Sequence, residues 1–242
     1  MADTDKTGIG DRMKGQYEAR AQSWLPRRTF TIIRLDGKAF HTYTRGCSKP
    51  YDRNLSSALQ NAAGELASEA QGSCFAYVQS DEVSVLLTDF ATTTTQAWLD
   101  GNVQKIVSIS ASILTAAFNA QRPGKRALFD ARVFTIPDRT EVENYLIWRQ
   151  QDCKRNSIAG LAQAHFSHRQ LHQVNTDGMQ ELLWREKEIN WADEDPTFKN
   201  GALVVREVYD KEGVERSRWT SSPAPIFTQE REVFEELIPS YG

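Results

Sequence analysis

Two acidic positions sit where strand-forming runs stop. Asp36 follows TFTIIRL (residues 29–35), and Asp81 with Glu82 interrupts YVQSDEVSVLL (residues 77–87). Glycine or asparagine makes the easier connection between strands, so two adjacent carboxylates there need another reason. Hard oxygen ligands suit Mg²⁺, which keeps several waters and takes one or two carboxylates together with substrate phosphates. Two such ions, roughly 3.5 to 4 Å apart, can clamp the attacking and leaving oxygens of an in-line phosphoryl displacement. Gly37, without a Cβ, lets its carbonyl approach an ion or a phosphate closely. Asp36, Gly37 and Asp81 are therefore candidate metal ligands. The plainer alternative is that Asp36-Gly37 is an ordinary turn and that the acidic pair keeps a hairpin soluble.

Elements far apart in the chain must bring these residues together. After the first strand comes the short segment AFHTYTRGCSKP, ended by Pro50. Asp52 is a candidate N-cap for a helix whose apolar face is Leu55, Ala58, Leu59, Ala62, Ala63 and Leu66. Residues 75–79 and 83–88 make the hairpin; Val103, Ile106, Val107, Ser110, Ile113, Leu114 and Ala117 mark a second amphipathic helix; residues 129–136 are a further strand. Strand, helix, strand, strand, helix, strand is the split βαβ order of a ferredoxin-like antiparallel sheet, an α+β fold in which the first strand lies beside the hairpin. Beyond Pro137 the pattern predicts a helix from residue 140 to about 168, broken near Gly160, and a second helix within 168–190. Residues 202–209 then form a strand that pairs with the chain around Trp219. The expected division is a polar leader (1–27), a catalytic core (28–137) and a helical and α/β C-terminal extension (138–242).

A chain of 242 residues with 40% hydrophobic content is long enough to bury a proper core. No apolar run approaches the roughly 18 to 20 residues of a membrane span, and the N-terminus lacks an apolar signal core, so the expected location is the cytoplasm. Cys47, Cys74 and Cys153 contain no CxxC pair and suggest no disulfide framework. His165, His168 and His172 recur at helical spacing, which suits a polar helix face as well as zinc. The net charge of −3 is unevenly spread: residues 1–50 hold ten Lys/Arg against five Asp/Glu, and residues 181–242 hold eight against fourteen. A locally basic surface can hold phosphates on an acidic protein.

Taken together, IIRLDGKAFHTYT, SKPYD, FAYVQSDEVSVLL, GNVQKIVSISASI, FDARVFTIP and YLIWRQQDC resemble, in order and spacing, the tRNA(His) guanylyltransferase family with its Thg1-like relatives, the 3′-to-5′ RNA polymerases. The similarity runs over about residues 28–205. It implies a palm-like catalytic domain, usually tetrameric, that extends tRNA at its 5′ end. ATP or GTP activates a 5′-monophosphate, and the 3′-hydroxyl of an incoming NTP then attacks it, with Mg²⁺ assisting both steps. By the same resemblance Asp36, the Gly37 carbonyl and Asp81 are Mg²⁺ ligands, two ions being expected. Asp36, Gly37, Lys38, Ala39, Phe40 and His41, with Ser80 and Asp81, are nucleotide-binding. Lys49 belongs to the activation step with Asp52 near it, and Lys105 and Arg132 lie near triphosphates, a role their charge suits. Glu82 is either catalytic or a hydrogen-bonded support of the hairpin.

One departure separates branches of the family. Where the eukaryotic enzymes read HINN after WRQxDC, this chain reads Lys154-Arg155-Asn156-Ser157. HINN accompanies dedicated addition of one G to tRNA(His). Its replacement resembles the Thg1-like branch, which repairs truncated 5′ ends against a template. Lys154 and Arg155 are then candidate RNA-phosphate contacts, or else a solvated helix end. The alternatives are dedicated G addition to tRNA(His), a palm-fold nucleotidyl cyclase that needs no RNA, and a non-catalytic RNA-binding module.

Overall fold

The computed structural model describes residues 8–240. Its strands are β1 (Phe30–Gly37), β2 (Ser73–Gln79), β3 (Glu82–Leu87), β4 (Phe129–Ile136), β5 (Ala202–Lys211) and β6 (Val214–Pro223). The helices are α1 (Ile9–Met13), α2 (Phe40–Tyr43), α3 (Arg53–Glu69), α4 (Val103–Gln121), α5 (Arg139–His165), α6 (His168–Leu171), α7 (Thr176–Lys187), α8 (Pro196–Asn200) and α9 (Val233–Leu237). The strands form one antiparallel sheet in the order β4-β1-β3-β2-β5-β6. Its first four members have the ferredoxin-like order, and β1 lies beside β3 as the strand–helix periodicity predicts. The strands of the C-terminal segment continue this same sheet through β2 and β5, with Arg206 opposite Trp219.

Alternation along the strands splits the core in two. Ile33, Leu35, Val83 and Val85 pack against Leu59 and Leu66 of α3 and Leu114 and Phe118 of α4. On the opposite face Phe30, Ile32, Tyr77 and Leu86 meet Tyr145 and Leu146 of α5 and Phe227 and Phe234 of the C-terminal segment. Each such side chain contributes roughly 1.5–3 kcal/mol by leaving water, which fixes the strand register and hence the end of β1.

Two expectations need correction. The helix from Arg139 to His165 is unbroken, and Gly160 lies inside it. A lone glycine costs a helix about 1 kcal/mol, and here packing outweighs it: α5 lies against α7 and α8 through Leu161, Leu183 and Phe198. The 19-residue α4 is, by length and composition alone, long and apolar enough to cross a membrane, contrary to the sequence reading. In the fold its Ile106, Leu114, Ala117 and Phe118 are buried on the sheet. The leader, of which residues 1–7 lie outside the described residues, is bound to the core where Trp24 bridges to Asn102 and Val103 N–H donates to Ser23 O at 2.9 Å.

Candidate active site

The backbone register itself brings the acids together. Asp36 stands opposite Glu82 in the β1–β3 pair, and the next residue, Gly37, donates its N–H to Asp81 O at 3.1 Å. Gly37 has no freedom to be anything larger, because a Cβ would fall 2.2 Å from Cδ2 of Phe40. Lys38 N–H then donates to Leu128 O at 2.8 Å, Ala39 takes a left-handed φ of 54°, and α2 begins. The chain thus folds back sharply over the end of the sheet.

Asp81 lies in the two-residue connection between β2 and β3, half-buried, with Ser80 Oγ donating to its Oδ1 at 3.1 Å. Burial pushes its carboxyl pKa up, and the negative charge of Asp36 adds to the effect. A desolvated carboxylate with a second carboxylate beside it is a natural place for a cation. Among the described residues no group of three or more His, Cys, Asp or Glu could hold a metal ion. The donors that fit one are Asp36, Asp81 and the Gly37 carbonyl, an incomplete oxygen set of the kind Mg²⁺ completes with water and phosphate.

A cavity of about 700 Å³ opens beside these residues, lined by Gly37, Ala39, Phe40, His41, Ser80 and Asp81. Its far wall is the loop carrying Lys49, Tyr51 and Asp52, together with Asn156 and Gly160 of α5. Asp52 is the N-cap of α3, accepting from Leu55 N–H at 2.8 Å and Ser48 N–H at 3.1 Å. The Leu55 bond, opposed by burial, holds its carboxyl below the usual range. Tyr51 stacks on Phe198 with centroids 5.2 Å apart, and burial raises its phenol pKa.

Several sequence candidates lie off this wall. Lys38 is exposed, and Lys105 is an exposed first-turn residue of α4 whose own N–H is capped by Asn102 Oδ1 at 3.0 Å. Arg132 stands opposite Arg34 on β4, exposed, with Asp130 at 3.5 Å. Lys154 and Arg155 lie in the body of α5 rather than at a helix end. Lys154 Nζ sits 5.3 Å from the Trp191 ring centroid, and Arg155 pairs with Asp152. Asp36 borders Asp81 without lining the cavity.

Glu82 is only 5% exposed and faces α5. Its Oε2 accepts from Arg34 Nε at 2.8 Å and from Arg149 Nη1 at 2.9 Å, and Arg149 also reaches Asp152 at 2.9 Å. Of the two roles open in the sequence, this geometry supplies the supporting one: Glu82 anchors the hairpin from behind. Gln79, opposite Glu82 in the hairpin, has a buried Oε1 without a partner, as does Glu82 Oε1. Arg149, 2% exposed and stacked 3.8 Å from the Trp148 ring centroid, was not foreseen. Only its spacing of three residues from Asp152 hinted at a paired charge.

The model of the tRNAHis guanylyltransferase family matches residues 10–137. The structure of a bacterial tRNA(His) guanylyltransferase-like protein in complex with ATP superposes with a TM-score of 0.88 at 44% identity, covering 95% of this chain and 98% of that one. A second such bacterial structure, in complex with GTP, gives a TM-score of 0.84 at 41% identity over 96% and 100% of the two chains. The tRNA(His) guanylyltransferase of Debaryomyces hansenii is 29% identical, over 81% of each chain.

Proposed function

This chain belongs to the tRNAHis guanylyltransferase family, and from that premise we propose that it repairs tRNA 5′ ends by template-dependent, 3′-to-5′ nucleotide addition. It is a nucleotidyltransferase, with tRNA and nucleoside triphosphates as substrates. The observation that carries the site is the meeting of Asp36 and Asp81 beside a cavity of about 700 Å³. Asp36, Asp81 and the Gly37 carbonyl would hold Mg²⁺, which supplies Lewis-acid polarisation of phosphoryl oxygens. The chain's own groups do the rest. Gly37, Ala39, Phe40 and His41 line the cavity that takes the nucleotide, Ser80 fixes the Asp81 carboxylate, and Lys49 offers a cation on the cavity wall during activation of the 5′-monophosphate. Lys38, Lys105 and Arg132 are exposed and serve, in this reading, at the cavity's approaches.

The repair branch is supported by Lys154-Arg155-Asn156-Ser157 in place of HINN, and by identities of 44% and 41% to the bacterial guanylyltransferase-like proteins against 29% to the Debaryomyces enzyme. The test offers the protein ATP, GTP and Mg²⁺ with 5′-monophosphorylated tRNAs missing a paired 5′ nucleotide, or with full-length tRNA(His) lacking its extra G. Faster extension of the truncated tRNAs is expected. Strong preference for tRNA(His) would overturn the branch assignment, and a cyclic nucleotide formed without RNA would overturn nucleotidyl transfer. For the metal, Mg²⁺ should raise the melting temperature of the wild type and not of Asp36→Ala; no shift in the wild type removes the site. The tetramer of the family is proposed here too, and light scattering checks it.

A further inference from the structure

Four cations from two separate segments converge outside the nucleotide cavity. Arg45 belongs to the loop after α2, while Arg122, Lys125 and Arg126 belong to the connection between α4 and β4. They line two adjoining depressions of about 320 and 350 Å³, and Arg122 and Lys125 are common to both. Cys47 lines the first depression and also the nucleotide cavity, so the basic rim and the cavity are continuous. Arg122 Nη2 lies 3.8 Å from Cys47 Sγ, and Lys125 Nζ donates to Thr42 O at 2.9 Å and to Tyr43 O.

No Asp or Glu lines either depression. None of the four cations forms an ion pair with a described carboxylate, and only Arg122 has an acid, Asp52, near enough to feel its charge. Basic residues after a helix complement the negative end of its dipole, and Arg122, the C-cap of α4, is accounted for that way. The dipole does not account for Arg45, which comes from another segment, or for Arg126 beyond the helix. Like charges gathered on one surface repel one another even in water, and a polyanion laid across them reverses the sign.

We propose that this rim holds the phosphodiester backbone of the substrate RNA where its 5′ end enters the cavity. Arg45, Arg122 and Arg126 contact phosphates, and Lys125 ties the 42–47 loop in place. Contacts of this kind set register without reading sequence. The inference rests on the nucleotidyltransferase reading above. Triphosphate tails share the chemistry of the RNA backbone, so the experiment must separate the two.

Steady-state transfer to a 5′-monophosphorylated tRNA is compared, over a range of KCl, for wild type, the double variant Arg122→Gln/Arg126→Gln, and Arg45→Gln. In the double variant the KM for tRNA should rise about tenfold near 0.1 M salt, with kcat and the KM for NTP unchanged. The log–log salt dependence should become shallower by roughly 1.4 to 1.8 for two lost contacts. A tRNA KM and salt slope equal to wild type would overturn the proposal. So would a raised NTP KM with tRNA affinity intact, which gives the rim to the triphosphate. Arg45→Gln lies in the loop after α2, outside α4 and β4, and carries the same test, with a smaller shift, if the double variant folds poorly. A wild type that extends no tRNA at all would instead remove the reading on which this one rests.

Discussion

The β2–β3 and β5–β6 hairpins of this sheet both turn through acidic residues, Ser80-Asp81 in one and Glu212-Gly213 in the other. At the far hairpin Glu212 and Gly213 have φ of 58° and 79°, the two left-handed positions of a type I′ turn. Gly213 fills one of them, Asp210 Oδ1 accepts its N–H at 3.0 Å, and the acids face water. At the near hairpin Ser80 takes a φ of 51° with no glycine in the turn, Asp81 is half-buried, and Glu82 is buried between two arginines. An acid at an exposed, glycine-relieved turn is explained by solubility. An acid held where desolvation and a second carboxylate oppose its charge requires a compensating task.

The sharpest way to break the contrast is to remove the acids. Asp81→Ala or Asp36→Ala should lower single-turnover nucleotide transfer by about 10³-fold or more, with tRNA binding retained, whereas Asp210→Ala should leave transfer within about twofold. Near-wild-type turnover in both site variants would place the chemistry elsewhere. Next in size is stability. Glu82→Ala strips Arg34 of its carboxylate and leaves buried Arg149 with Asp152 alone, and should cost about 3 kcal/mol in urea unfolding, against less than about 1 kcal/mol for the exposed Glu207→Ala.

A smaller effect sharpens the comparison through pH. Because burial and Asp36 raise the Asp81 carboxyl in the folded state, ionising it opposes folding. That penalty is complete above the folded pKa and vanishes below the unfolded carboxylate pKa of about 3.9. Asp81→Asn should therefore melt higher than wild type near neutrality, with the gap closing as the pH falls toward 4; a gap that widens in acid would contradict the assignment. Smallest is the turn itself. Gly213→Ala should cost about 1 kcal/mol for its left-handed position without altering transfer, while Ser80→Gly should change stability by less than about 1 kcal/mol.

Much of this was legible in the chain. The periodicities of α3 and α4 and the strand runs gave the ferredoxin-like order directly, because each element buries one face and its apolar spacing records which. Asp36 and Asp81 stood out for the same reason in reverse, as charges at the ends of buried runs. Gly160 misled because a local propensity of about 1 kcal/mol is outweighed by packing from residues over 20 positions away, which no window of sequence displays. Lys105 and Arg132 could be placed on elements but not on the cavity wall, since side-chain direction at a helix start or on a strand near the sheet edge depends on the assembled fold. Arg149 was hidden because a buried arginine and a surface one look alike until their partners, Glu82 and Asp152, are in place.

The unbroken α5 has a mechanical consequence. Twenty-seven residues of helix make a strut about 40 Å long. Near one end Tyr145 meets Ser84 at 2.7 Å and Arg149 grips Glu82, while Asn156 and Gly160 farther along wall the nucleotide cavity. A kink at Gly160 would have let that wall flex on its own. As a single stiff member it sets a fixed gauge for its part of the cleft, and compliance for substrates of different bulk falls to its neighbour on the same wall, the loop that carries Lys49.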